Sequence, residues 1–241
     1  MSLKREPIKL PEETTHSPVY VADTYTGKRP NKNQRHLQPY YLDMADVKVC
    51  YFPIGSFGRR EPSLNLTREL MENCVERDIP IVLETKTGIP DWAIDKMSKV
   101  RGSVLIIQMP SISVTMRRRF FHPVDDPEDI RTLILKVFQT GTNVRLKFAP
   151  IVPTITKMSE LTAYMISMRS FINGVDVGFS RLIREDIERI EKRNRLQPGE
   201  LELLYTEDNG EFFLKEHVKD EMMGTLRVFC EGNNIDLTET W

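Results

Sequence analysis

Five short apolar runs recur along the chain: VKVCYFPI (47–54), PIVLET (80–85), SVLIIQM (103–109), NVRLKFA (143–149) and GVDVGFS (174–180). Each is hydrophobic almost continuously rather than alternately, as a strand reads when both faces of its sheet are covered. Helical stripes stand between them. Leu66, Leu70, Met71, Cys74 and Val75 form one, Ile130, Leu133, Ile134, Val137 and Phe138 a second, and Leu161, Tyr164, Met165, Met168 and Ile172 a third. The second opens on Asp126 as N-cap and Pro127 in the first turn, and closes at Gly141, a left-handed C-cap. Strand and helix alternating in this way make βαβ units with right-handed crossovers. The expected fold is therefore α/β, a partial (β/α)6 TIM-like barrel, with a sixth strand at 234–237. A complete eightfold barrel typically takes about 250 residues by itself, and this chain has 241.

Residues 1–46, rich in proline and polar side chains, are expected to form an extended arm, residues 47–182 the partial barrel, and residues 183–241 a charged C-terminal helical segment completing it. In that last segment a charged helix is expected over 183–195, a turn at Gln197-Pro198-Gly199 and further helix near 211–231. Residues 1–60 carry 10 Lys+Arg against 6 Asp+Glu, and residues 181–241 carry 9 against 15. A net charge of −1 argues against a protein that coats nucleic acid by bulk charge, while leaving local patches open. No stretch approaches the ~20 apolar residues of a membrane span, and the polar start lacks a signal-peptide core, so a cytoplasmic protein without membrane attachment is expected. Three widely separated cysteines, Cys50, Cys74 and Cys230, exclude a disulfide framework and a compact zinc knuckle.

In folds of this kind the working site lies at the carboxyl ends of the strands. Arg59, Arg60, Lys86, Lys147 and Arg181 fall there, with Gln108, Ser111 and Pro150 beside them. Such a mouth is cationic and rich in donors and suits a phosphate, carboxylate or nucleotide better than a neutral sugar. Glu84 and Lys86 are the candidate acid–base pair; Gln108, Ser111, Lys147 and Pro150 are candidate cofactor contacts. Glu84 is equally placed for a salt bridge with Lys86 or Lys147. Arg117-Arg118-Arg119, with Phe120 and Phe121 behind it, is read as a basic loop able to touch nucleic-acid phosphates. No second carboxylate supports a two-carboxylate hydrolase. His16, His36, His122 and His217 lack metal-ligand spacing, so no metal site is expected. A phosphate loop, a dinucleotide fingerprint and a nucleophile elbow are absent.

The order of these features resembles the radical S-adenosylmethionine superfamily, in its spore photoproduct lyase and DNA repair photolyase branch. The resemblance spans about residues 23–182. It rests on PEDIRTLILKVFQTGTNVRLKFAPIVP, similar to that family's fourth crossover, on IVLETKT, similar to its LxTKS strand, and on VGFSRL. The resemblance implies a cluster loop, C-x-x-x-C-x-x-C, after a segment like Asp-Pro-Tyr-x-Gly-Cys. Here Asp23-Thr24-Tyr25-Thr26-Gly27-Lys28 stands in that place, and the three cysteine positions fall on Lys28, Lys32 and Arg35. A 4Fe–4S cluster of this kind needs three thiolates, and ammonium and guanidinium groups have no lone pair to offer. No cluster is expected, and S-adenosylmethionine is a disfavoured occupant.

Lys28, Arg29, Lys32, Arg35 and His36 would instead form a basic loop over the mouth. The first expectation is a radical S-adenosylmethionine-like pseudoenzyme that binds nucleic acid, a nucleotide or a protein partner, with a link to DNA modification or repair implied by the resemblance. The alternatives are a non-radical enzyme acting on an anionic, phosphate-bearing substrate, and a structural or assembly protein of viral (phage) origin.

Overall fold

The computed structural model describes residues 19–21, 47–54, 61–120 and 125–240, those of 19–21 in their backbone. The expected basic loop of Lys28, Arg29, Lys32, Arg35 and His36, and the pair Arg59 and Arg60, lie outside these residues. Seven strands follow the order β1 (Val19–Val21), β2 (Val49–Phe52), β3 (Ile81–Thr85), β4 (Val104–Gln108), β5 (Asn143–Ile151), β6 (Gly174–Phe179) and, at the far edge, β10 (Asp236–Thr240). Pairing is parallel in β1–β2, β2–β3, β3–β4 and β6–β10, and the sheet is not closed. The fold is thus α/β, and the open sheet matches the expectation of a partial barrel. The chain divides into two compact units, Met1–Ile107 with Glu128–Arg145, and Gln108–Pro127 with Leu146–Trp241.

In the first unit, helices α1 (Glu61–Glu76), α2 (Asp91–Ser98) and α4 (Pro127–Phe138) accompany β2 to β4. The short α2, absent from the sequence reading, buries Ala93, Ile94 and Met97. Parallel register separates two strand faces. Cys50, Phe52, Ile81, Leu83, Leu105 and Ile107 share one, all fully buried. Val49, Val82 and Ile106 share the other, with Tyr51 and Val104 packed against them. Gly141 takes the expected positive φ, 78°, but Phe138, expected in the α4 stripe, is 43% exposed.

In the second unit, α5 (Met158–Met168) packs on α7 (Glu216–Asn233). Val175 and Val177 of β6 are fully buried. Lys219 of α7, almost fully buried, meets Glu239 of β10 at 2.7 Å, so a charge out of water is matched by its counter-ion. The helix expected near 211–231 is corrected at its start. Residues 205–214 form a hairpin, β8 (Tyr205–Asp208) and β9 (Glu211–Leu214), joined by β7 (Leu182–Ile183) in an antiparallel sheet ordered β7-β9-β8. Asn209 and Gly210 turn the hairpin at φ 53° and 82°, the double positive φ of a two-residue primed turn. With α6 (Arg184–Asn194) this sheet encloses Leu182, Ile187, Ile190, Leu201, Tyr205 and Phe212 in an apolar cluster. The run Arg117-Arg118-Arg119 is also corrected: it lies on a helix, α3 (Val114–Phe120), not in a loop.

No helix among the described residues is long and apolar enough to cross a membrane.

Candidate functional site

In the first unit the carboxyl end of β3 carries a polar pair. Glu84 is buried; it lies on the same face as Val82 and beside Ile106 in register. Tyr51 of β2, paired in register with Val82, donates its hydroxyl hydrogen to the Glu84 carboxylate in a very short contact. Burial, then the charge of Glu84 and that hydrogen bond, push the Tyr51 phenol far above its ordinary range, so Tyr51 keeps its proton at any working pH. The pair is a fixed phenol–carboxylate contact, its one donor hydrogen held on Glu84. Lys86 follows in the bend after β3, half-buried. The bend is locked by Thr85, whose hydroxyl donates to the Thr87 carbonyl at 2.7 Å and accepts from the Thr87 amide at 3.1 Å. The sequence reading had Glu84 but not its partner Tyr51, whose place in an apolar run gave no signal.

The remaining strand-end candidates belong to the second unit. Gln108 ends β4, half-buried, and Ser111 is buried with its hydroxyl accepting from the Ser113 amide at 3.2 Å. That bond gives Ser111 a turn-holding role. Lys147 and Pro150 lie on β5; the Lys147 carbonyl accepts from the Met109 amide at 2.7 Å, and the Ala149–Pro150 peptide is cis. The loop after β5 is tied down by Thr156, whose hydroxyl donates to the Pro110 carbonyl at 3.1 Å. Arg181 is exposed, its guanidinium 5.4 Å from the centre of the Phe213 ring.

The basic run divides by burial. Arg117 is buried; nothing is described of the Arg118 side chain; Arg119 is exposed. Arg119 and Arg193 hold their guanidinium carbons 5.8 and 5.7 Å from the centre of the same ring, Phe120. Arg193 Nη1 also donates to the Arg119 carbonyl at 2.9 Å, fastening α6 to the end of α3. Around them an open hollow of about 590 Å³ is lined by Arg119, Glu185, Glu188, Arg189, Lys192 and Arg193. The α6 residues of this lining recur at helical spacing, so one face of the helix is presented. Arg189 is engaged with Asp186. Four cations against two carboxylates leave the lining positive. Only Arg119 of these was a candidate from sequence; α6 read simply as a charged helix, and its union with α3 has no local signature.

A comparison with protein-family models gives no match, and neither does one with the curated proteins. Solved structures do share the architecture. SuiB of Streptococcus suis, in crystals bound to S-adenosylmethionine, has a TM-score of 0.50 at 11% identity over 81% of this chain and 39% of its own. Spore photoproduct lyase complexed with dinucleoside spore photoproduct has a TM-score of 0.54 at 15% identity over 80% of this chain and 61% of its own. Both are radical S-adenosylmethionine enzymes. The fold is of that type. Identities this low speak of fold alone, and this chain spans less than two thirds of either relative's length.

Whether this chain's thiols could hold a cluster is decided by where they sit. Cys50 and Cys74 are fully buried and Cys230 is 1% exposed. The Cys50 thiol hydrogen-bonds to Cys74, and burial, then that contact, push its pKa well up. Burial, then the charges of Asp236 and Glu231, raise Cys230 from 9.0 to about 11. Cluster ligation needs reachable thiolates; these three are core residues sealed from solvent and do not fit.

The same shifts set an alkaline limit. Burial, partly offset by a hydrogen bond from Ser180, also raises Tyr205 from 10.0 to about 12. Each group loses its proton at the ordinary value when unfolded and at the raised value when folded. The unfolded chain therefore binds fewer protons in that window, and stability falls as pH climbs. The contribution is complete below about pH 9 and lost between about 9 and 12. Urea midpoints measured from pH 8 to 12 should drop across this range, and Cys230→Ala should flatten the part between 9 and 11; a level midpoint contradicts the assignment.

Proposed function

We propose that this chain is a non-radical protein built on the radical S-adenosylmethionine fold, binding nucleic acid or a nucleotide through a cationic surface and carrying no 4Fe–4S cluster. The observation that carries this reading is the pair Arg119 and Arg193 on the ring of Phe120, in a hollow that also holds Arg189 and Lys192. Guanidinium groups held beside an aromatic ring are already ordered and only partly hydrated, so they contact phosphate oxygens at small entropic cost. Sequence-tolerant nucleic-acid grooves combine these elements, cations along the backbone and an aromatic ring for bases. The burial of all three cysteines supports the absence of radical chemistry. The dinucleoside bound by spore photoproduct lyase makes short single-stranded DNA the first probe. The affinity of that probe, measured against salt, should fall with a slope set by the number of phosphates engaged; an affinity that is undetectable at low salt ends the reading.

A second reading is a non-radical enzyme acting on a phosphate-bearing small molecule, favoured by the Tyr51–Glu84 pair, a donor and an acceptor held together at a strand's carboxyl end. Metabolites of that class, screened by melting temperature, should then stabilise the native chain, since a ligand of the folded state raises its melting point. Glu84→Gln and Tyr51→Phe should lose the response; an unchanged response in both sets this reading aside.

A further inference from the structure

Among the described residues of the second unit, the buried charges of Glu191 and Lys219 have partners. Glu191 accepts from two backbone amides and Lys219 meets Glu239. Arg117 is 1% exposed, and none of its Nε, Nη1 and Nη2 atoms has a hydrogen-bond partner among the described residues. Burying a guanidinium without hydrogen bonds is among the most unfavourable arrangements a protein interior can hold. A methionine would fill the volume without that penalty, so the side chain's five donors point to an acceptor that completes the site.

The surroundings supply charge without contact. Burial lowers the Arg117 pKa, and Tyr164, Asp126 and Asp125 act on it in the opposite sense through space. The Tyr164 hydroxyl is spent elsewhere, donating to the Pro127 carbonyl at 3.2 Å. The helix is fixed: the Arg117 amide donates to the Ser113 carbonyl at 2.9 Å, and Met116 and Phe120 pack against the apolar cluster on either side of it. A planar fork of N–H donors held in one orientation matches two oxygens of one oxyanion.

We propose that Arg117 is the recognition residue of a buried site for a single oxyanion group, the carboxylate or phosphate of a small ligand. The site is separate from the exposed hollow and stands whether or not a polymer binds there.

The test uses the full chain, with inorganic phosphate and acetate titrated separately against melting temperature. At least one probe should raise the wild-type midpoint saturably, and which one does so identifies the group. Arg117→Lys keeps the charge but not the fork and should weaken that probe about tenfold. Arg117→Met should abolish the response while melting no lower than wild type without ligand. Asp125→Asn with Asp126→Asn removes the local negative field and should tighten binding severalfold. The proposal fails if neither probe shifts the wild type or if the shift survives in Arg117→Met. It also fails if the double Asn variant is destabilised with no gain in binding, because Arg117 is then neutralised from within. Arg117→Lys decides the matter should Arg117→Met not fold.

Discussion

A chain carrying Arg119→Ala and Arg193→Ala is expected to bind a short single-stranded DNA about thirtyfold more weakly than the native chain. Each arginine offers charge-assisted hydrogen bonds to phosphate, contributing about 1.5–3 kcal/mol when shielded. Both are exposed here, so about 1 kcal/mol each is the reasonable discount, and about 2 kcal/mol together is close to thirtyfold. The slope of log affinity against log salt should shrink by about 1.4, because each phosphate contact on a single strand contributes about 0.7. Phe120→Leu separates the two elements of the surface. It keeps apolar bulk against the cluster that Phe120 packs on but removes the ring, so affinity should fall while the salt slope holds. Filter binding at several salt concentrations reads both quantities. An affinity and slope unchanged in the double variant would falsify the surface.

The second large effect concerns architecture. Glu191 is buried at the end of α6, and its two carboxylate oxygens accept from the Leu201 amide at 2.9 Å and the Gly199 amide at 3.1 Å. It thereby folds the turn at Pro198 back on its own helix and seats Leu201, fully buried, in the apolar cluster. Glu191→Ala strips both amides of their acceptor, and the expected loss is about 3 kcal/mol. For a chain of this length that lowers the melting temperature by about 6–12 °C. Glu191→Gln retains one acceptor and should lose about half as much. Calorimetry with urea titration measures both, and a loss under about 1 kcal/mol in Glu191→Ala contradicts the role.

The five long strands were legible because burial on both faces leaves an unbroken apolar run, as β3 shows with all five residues buried. The α4 stripe was legible for a related reason, its Ile130, Leu133, Ile134 and Val137 recurring at helical period and all buried. Shorter elements carried weaker signals. Two turns of helix, as in α2, leave too few repeats for periodicity to show. The C-terminal hairpin did carry a local mark, Asp208-Asn209-Gly210-Glu211, but the apolar residues just beyond it share spacing with the start of α7 and read as helix. At the candidate site, cations could be counted along the sequence, yet their burial could not. One basic triplet yielded a sealed Arg117 and an exposed Arg119, a difference made by packing with segments far along the chain.

The sealed thiols have a practical corollary. Peroxides and disulfide-exchange reagents attack thiolates they can reach, and Cys50, Cys74 and Cys230 are all out of reach in the native state. Oxidation of these thiols therefore tracks how often the chain opens rather than how much oxidant surrounds it.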